Sequence, residues 1–90
     1  FVMKNEKLSD QQLLTVSGSA LYGARWQTEL ARDLGLSDGR RVRQWLSGDR
    51  SVPIGVWRDI DKLINERRGL LLNASSVLNY NKSISESEAK

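Results

Sequence analysis

The apolar positions of the chain recur every three or four residues, which is the spacing of an α-helix with one buried face. Trp26, Leu30 and Leu34 show this spacing most clearly and predict a helix over about residues 25–34. No stretch alternates apolar and polar residues over the length of a β-strand. The pattern therefore predicts an all-α fold, which we expect to contain four to five helices.

Helix-capping residues set the bounds of two further helices. Ser9, followed three residues later by Gln12, forms a capping-box pattern, and apolar residues at helical spacing follow it over about residues 9–21. Ser37 and Asp38 are both favourable N-cap residues for a short helix over about residues 39–47. Three helices are therefore predicted in the first half of the chain.

A longer helix is predicted to begin near Pro53, because proline is well tolerated in the first helical turn. Its apolar residues keep helical spacing to about residue 78, which gives one domain over residues 9–78. Residues 1–8 precede the first cap, and we expect them to be a flexible N-terminal segment. Residues 79–90 are polar and poor in core residues, so we expect a disordered tail.

Three consecutive leucines, Leu70, Leu71 and Leu72, are more apolar residues than one helix face can bury. Two interpretations stay open for them. Either they form a surface for a partner chain, or the helix bends near Gly69 or Asn73 and a turn packs back on the core. The sequence supports both equally.

The absence of cysteine and histidine restricts the possible chemistry. It excludes disulfides, thiolate nucleophiles, imidazole bases and the usual zinc sites. Asp59 and Asp61 are two residues apart on a helix and face different directions, which argues against an acid–base pair. We therefore expect no enzyme, no metal, no cofactor and no small-molecule ligand. No apolar run of about 20 residues and no signal-peptide pattern occur, so we expect a cytoplasmic protein without membrane association.

The positive charge is concentrated in one stretch. The chain carries 14 Lys and Arg against 11 Asp and Glu, a net charge of +3. Residues 40–50 alone hold four arginines against one aspartate and so carry the same excess. This distribution indicates a local anion-binding patch. The alternative is a solvated helix face without a ligand.

Residues 25–48 have the pattern of two short helices joined by a tight turn. Ala31 allows a close approach of the helices, and Gly35 supplies the positive φ that the turn needs. Val42 and Trp45 are three residues apart and would bury the second helix against the first. The pattern is that of a helix-turn-helix.

This segment resembles the helix-turn-helix of the lambda-repressor and Cro-like family. It is most similar to small bacterial, phage and plasmid regulators with the signature ALYG-x-RWQ-x-x-LA-x-x-LG, which here occupies residues 20–35. The resemblance covers about residues 13–68. It departs from the family in one respect: Val42 lies seven residues after Gly35, where six are usual. The extra residue falls in 36–39, and we expect it to bulge at Gly39, which tolerates unusual backbone angles.

The resemblance implies that the helix at 39–47 reads bases in the major groove of double-stranded DNA. A helical wheel with 3.6 residues per turn directs four side chains away from Val42 and predicts these base contacts: Arg40, Arg43, Gln44 and Ser47. In the family, the glutamine that opens the preceding helix binds a phosphate. The predicted phosphate contacts are Arg25, Gln27, Thr28, Ser37, Arg41 and Arg50.

The function that the resemblance implies is a sequence-specific DNA-binding transcriptional regulator, either a repressor or an antitoxin-like protein. Such a protein would be associated with the nucleoid. It is expected to act as a homodimer, at least on DNA, because one short helix reads few base pairs. The alternative is a helix-turn-helix fold that serves as a protein–protein interaction module. Salt-dependent binding to random duplex DNA would separate the two.

Overall fold

The computed structural model describes residues 5–83, and in this range the chain is helical without any β-strand. The prediction of an all-α fold is confirmed. The helices α1 to α4 occupy, in chain order, Asp10–Tyr22, Trp26–Asp33, Arg40–Ser47 and Ile54–Lys82.

The capping box predicted at the start of α1 is present. The Gln12 backbone N–H donates to Ser9 Oγ at 3.1 Å, and the Ser9 backbone N–H donates to Gln12 Oε1 at 2.9 Å. Two backbone donors that have no partner within the helix are thereby satisfied. Residues 5–8, within the segment expected to be flexible, have no regular secondary structure, and residues 1–4 lie outside the described range.

Helices α2 and α3 are separate, and the turn between them depends on Gly35. This glycine has a φ of 81°, and the Leu36 N–H beyond it donates to the Ala31 carbonyl at 2.9 Å. The left-handed conformation predicted for Gly35 is confirmed. The expectation for Gly39 is wrong, because its φ of −81° and ψ of 4° are open to any residue. The longer turn is thus accommodated by ordinary backbone angles over residues 36–39.

The core lies where α1, α2 and α3 meet the first half of α4. Leu14, Leu30 and Val42 are fully buried, one from each of the first three helices, and Ile60 of α4 closes the cluster. The predicted apolar faces of α2 and α3 are therefore buried, whereas those of α1 and α4 are buried only in part: Leu13, Val16, Leu71 and Leu78 are exposed. Two of the three tryptophans, at positions 26 and 45, belong to this core, whereas Trp57 is half-buried at its edge.

Arg67 of α4 completes the C-terminal end of α1. Its Nη1 donates to the Leu21 carbonyl oxygen at 2.7 Å, and its guanidinium lies 5.6 Å from the centre of the Tyr22 ring. Helix α1 has no basic residue in its own last turn. The helix dipole favours a cation at this end, and α4 supplies the basic side chain that the last turn of α1 does not contain.

Helix α4 is uninterrupted over 29 residues, from Ile54 to Lys82. The helix does not break at Gly69 or Asn73, and the leucines at 70–72 do not pack back on the core: each is more than 60% exposed. The helix continues through residues 79–82, which were expected to belong to a disordered tail; residues 84–90 of that tail lie outside the described range.

Within residues 5–83, no helix is both long enough and apolar enough to span a bilayer.

Candidate nucleic-acid interface

Helix α3 turns one face to the core and the other to solvent. Val42 and Trp45 are 0% and 2% exposed, as the two-helix pattern predicted. Gln11 of α1 also binds α3: its Nε2 donates a hydrogen bond to the Trp45 carbonyl at 3.1 Å. The side chains of Arg40 and Arg43 are consequently on the exposed side. The orientation of α3 is therefore held by the core rather than by any charged residue.

A cleft of about 280 Å³ lies at the start of α3 and extends to the loop after it. The Arg50 N–H donates to the Gln44 carbonyl at 3.2 Å, which draws that loop back along the helix. The cleft brings together two predicted base contacts and three predicted phosphate contacts. Its lining residues are Leu36, Ser37, Asp38, Arg40, Arg41, Gln44 and Arg50.

Asp38 is the acidic residue of the cleft, and its carboxylate already accepts a hydrogen bond from the backbone. Its Oδ1 accepts the backbone N–H of Arg40 at 2.9 Å, which satisfies a donor at the start of α3. The N-cap residue of α3 is Gly39 and not Asp38 as predicted, but the Asp38 side chain still satisfies a backbone donor of the first turn. Because the carboxylate is directed to the helix backbone, the three arginines remain the dominant charges of the cleft.

A second, shallower depression of about 290 Å³ lies at the start of α2. It is lined by Ala24, Arg25, Gln27 and Thr28, so the three remaining predicted phosphate contacts are together there. Arg25 is the N-cap residue, and no side chain caps the first backbone N–H groups of the helix. Such N–H groups, together with the helix dipole, favour an anion.

Gly39 leaves room for the Arg43 side chain, and the sequence did not reveal this role. A methyl group on its Cα would lie 3.0 Å from Arg43 Nη1 and 3.8 Å from Thr28 Oγ1. The Arg43 guanidinium therefore lies over the buried Gly39 on the side of Thr28. The one signal in the sequence is a glycine at the start of the helix.

Ser47, a predicted base contact, lies outside the cleft that contains Arg40 and Gln44. Its Oγ donates to the Gln44 carbonyl at 3.1 Å and accepts the Asp49 N–H at 3.4 Å. The hydroxyl is thus engaged in the turn that ends α3, and the residue does not line the cleft.

In the part of the chain that the structure describes, no carboxylate forms an ion pair with the arginines around the two depressions. Among the described residues, the ion pairs are those of Arg32 with Glu29 and with Asp33, on the exposed side of α2. The five arginines at positions 25, 40, 41, 43 and 50 form no ion pair with any residue in the range 5–83. A surface with several free guanidinium groups attracts phosphate and other anions.

No group of three or more acidic side chains in residues 5–83 is arranged to hold a metal ion. No family model, curated protein or solved structure matches the chain.

Proposed function

We propose that the protein is a sequence-specific, double-stranded-DNA-binding transcriptional regulator that inserts α3 into the major groove. The observation that carries the proposal is the arrangement of α3. Its apolar residues are fixed in the core, while Arg40, Arg43 and Gln44 remain available beside a cleft with further arginines. The resemblance of residues 13–68 to lambda-repressor and Cro-like regulators supports the same function.

Base recognition is assigned to the outward side chains of α3. The guanidinium groups of Arg40 and Arg43 can each donate two hydrogen bonds to the N7 and O6 of a guanine. The amide of Gln44 can pair in the same way with adenine. A good bidentate contact contributes about 1–3 kcal/mol to discrimination between bases. Ser47 is the weakest of the four candidates, because its hydroxyl already bonds the backbone.

Phosphate contacts are assigned to the groups on either side of α3. Arg25, Gln27 and Thr28 lie at the start of α2, and Ser37, Arg41 and Arg50 lie around the cleft. Two sets of phosphate-binding groups beside a recognition helix would fix its depth and register in the groove. The protein would then act by occupying its operator and excluding polymerase or a competing regulator.

The test begins with selection of bound sequences from a random DNA pool, followed by titration with the selected and a scrambled duplex. Arg43→Ala is expected to lower affinity for the selected site about tenfold or more. Arg41→Ala is expected to weaken both duplexes equally and to reduce the salt slope by about 1. Arg58→Ala, an exposed arginine of α4 outside both depressions, is the control and should change neither.

Two results would contradict the proposal. If the wild-type protein shows no salt-dependent affinity for duplex DNA, a protein-interaction module becomes the better account. If Arg43→Ala and Arg58→Ala have the same effect, α3 is not the recognition element.

A further inference from the structure

The last part of α4, residues 69–82, extends beyond the rest of the domain, and we call it the α4 extension. Within residues 5–83, the hydrogen bond from Arg67 to Leu21, at the end of α1, is the last along α4 that joins it to another helix. Every residue of the α4 extension is exposed. Its large apolar side chains are between 50% and 88% exposed: Leu70, Leu71, Leu72, Val77, Leu78 and Tyr80.

The composition of the α4 extension is unusual for a helix in water. Lys82 is the one residue among these fourteen with a formal charge at neutral pH. A short helix without charged pairs or tertiary packing is marginal on its own, and a helix surface with this much exposed leucine normally has a covering partner. Helices that lie on membranes carry many lysines and arginines on their polar face, which the α4 extension lacks.

The apolar pattern is symmetric about Ala74. Leu70 and Leu71 lie four and three residues before this alanine, and Val77 and Leu78 lie three and four residues after it. At 3.6 residues per turn, all four flank the side of the helix on which Ala74 lies. A two-fold interface requires a patch that is complementary to itself. An apolar stripe that has the same pattern in both directions meets this requirement for antiparallel helices.

We propose that two copies of the chain associate through their α4 extensions as an antiparallel pair, with the two-fold axis at Ala74. Leu70 then lies beside Val77 of the second copy, and Leu71 lies beside Leu78 of the second copy. The small side chain of Ala74 allows the helices to approach at the centre. Because the paired segments are almost uncharged, no like charges oppose each other, and the two helix dipoles are antiparallel.

A groove at the base of the α4 extension enlarges the apolar surface. It has a volume of about 320 Å³, and Ala20 and Leu21 of α1 line it together with Leu71 and Leu72. Four leucine or valine side chains from each copy, with this groove at both ends of the pair, give a compact interface of the small, reversible class. We therefore expect a dimer that dissociates on dilution.

The experiment measures the mass of the full chain in solution, without DNA, by sedimentation equilibrium over a range of concentrations. The wild type should be dimeric at high concentration. Leu71→Glu and Leu78→Lys, each alone, should raise the dissociation constant at least tenfold, with helix content checked by circular dichroism. Ser76→Glu introduces the same charge as Leu71→Glu on the opposite side of the helix, so it should leave the dimer intact.

The orientation is tested by mixing. In an antiparallel pair, Leu71→Glu and Leu78→Lys place opposite charges beside each other, so the mixture should recover the dimer that each variant loses. Because the chain has no cysteine, Leu71→Cys mixed with Leu78→Cys should give the mixed disulfide in preference to either symmetric one. A parallel pair would instead give the two symmetric disulfides, and mixing the charged variants would not restore the dimer.

A wild type that is monomeric at every concentration would overturn the proposal. So would a dimer that Leu71→Glu does not weaken, or one in which the symmetric disulfides dominate. The inference does not rest on the proposed function. A dimer that fails to bind DNA removes only the regulatory role, and a monomer that binds DNA removes only the pairing of the α4 extensions.

Discussion

Gly18 of α1 lies directly against the indole ring of Trp26 in α2. A methyl group on Gly18 would lie 2.1 Å from Trp26 Cε3 and 2.4 Å from Cδ2, closer than two carbon atoms that are not bonded to each other can approach. Both residues are buried. The indole is surrounded by the core and cannot move aside as a flexible surface side chain could. The absence of a side chain at position 18 therefore sets how closely α1 and α2 pack.

Gly18→Ala is expected to lower the free energy of unfolding by about 1–3 kcal/mol, because the added methyl group overpacks the core. This value is the net change, after the gain of about 1 kcal/mol that alanine brings to a helix interior. Gly69→Ala is the matched control: it is also inside a helix but has no neighbouring atom within 4 Å, so it should stabilise by about 0.5–1 kcal/mol. Urea unfolding measures both. Equal stability of the two variants would show that α1 can shift away from Trp26.

Trp45→Ala is expected to destabilise the domain by about 3–5 kcal/mol, because it removes a 2% exposed indole and leaves a cavity between α3 and the core. Arg41→Ala, an exposed position on the same helix, should change stability by less than about 0.5 kcal/mol. Thermal and denaturant unfolding report both values. A Trp45→Ala variant as stable as Arg41→Ala would show that α3 is not anchored through this residue.

Asp38→Ala is expected to cost about 1 kcal/mol of stability, because the Arg40 N–H loses its acceptor. Asp38→Asn keeps a capping oxygen and removes only the charge, so its stability should stay close to that of the wild type. If the cleft binds phosphate, both variants should bind scrambled duplex DNA more tightly than the wild type does. An equal loss of stability in both variants would show that the charge, and not the hydrogen bond, matters at this position.

The stability of the domain is expected to fall in alkaline solution through Tyr22. Burial and the hydrogen bond that its hydroxyl donates to Asp33, at 2.5 Å, raise the pKa of Tyr22 from 10.0 to about 12. The folded state thus favours the neutral phenol more than the unfolded state does. The resulting stabilisation is complete below pH 10 and is lost as the pH rises to about 12.

Tyr22→Phe removes this titration, so its free energy of unfolding should be lower than that of the wild type at pH 9 and should vary less between pH 10 and 12. Denaturant unfolding at a series of pH values makes the comparison. A wild-type curve parallel to that of Tyr22→Phe over this range would refute the assignment.

The parts of the fold that local chemistry decides could be predicted from the sequence. The capping box at Ser9 and the left-handed Gly35 depend on a few neighbouring residues. The burial of Val42 and Trp45 follows from their spacing on one face. For the candidate site, the burial of that face predicted that Arg40 and Gln44 lie on the opposite, outward side of α3. The cleft contains both residues.

The remaining features depend on contacts between distant residues or on small energies that local patterns do not resolve. The packing of Gly18 on Trp26 and the position of Arg43 over Gly39 require knowledge of how helices meet. A glycine costs a helix only about 1 kcal/mol, so the sequence could not decide whether α4 would continue past Gly69. Ser47 was assigned by its direction alone, and its bonds to the backbone became visible only in the structure.

The hydrogen bond from Arg67 to the carbonyl of Leu21 joins residues 46 positions apart in the chain. A ribosome makes α1 before α4, and at that stage the Leu21 carbonyl cannot yet accept the hydrogen bond from Arg67. The basic residue at the C-terminal end of α1 is synthesised only with the first half of α4. The full set of native hydrogen bonds at the end of α1 can therefore form only after the first half of α4 has left the ribosome, because one of its donors lies 46 residues further along the chain.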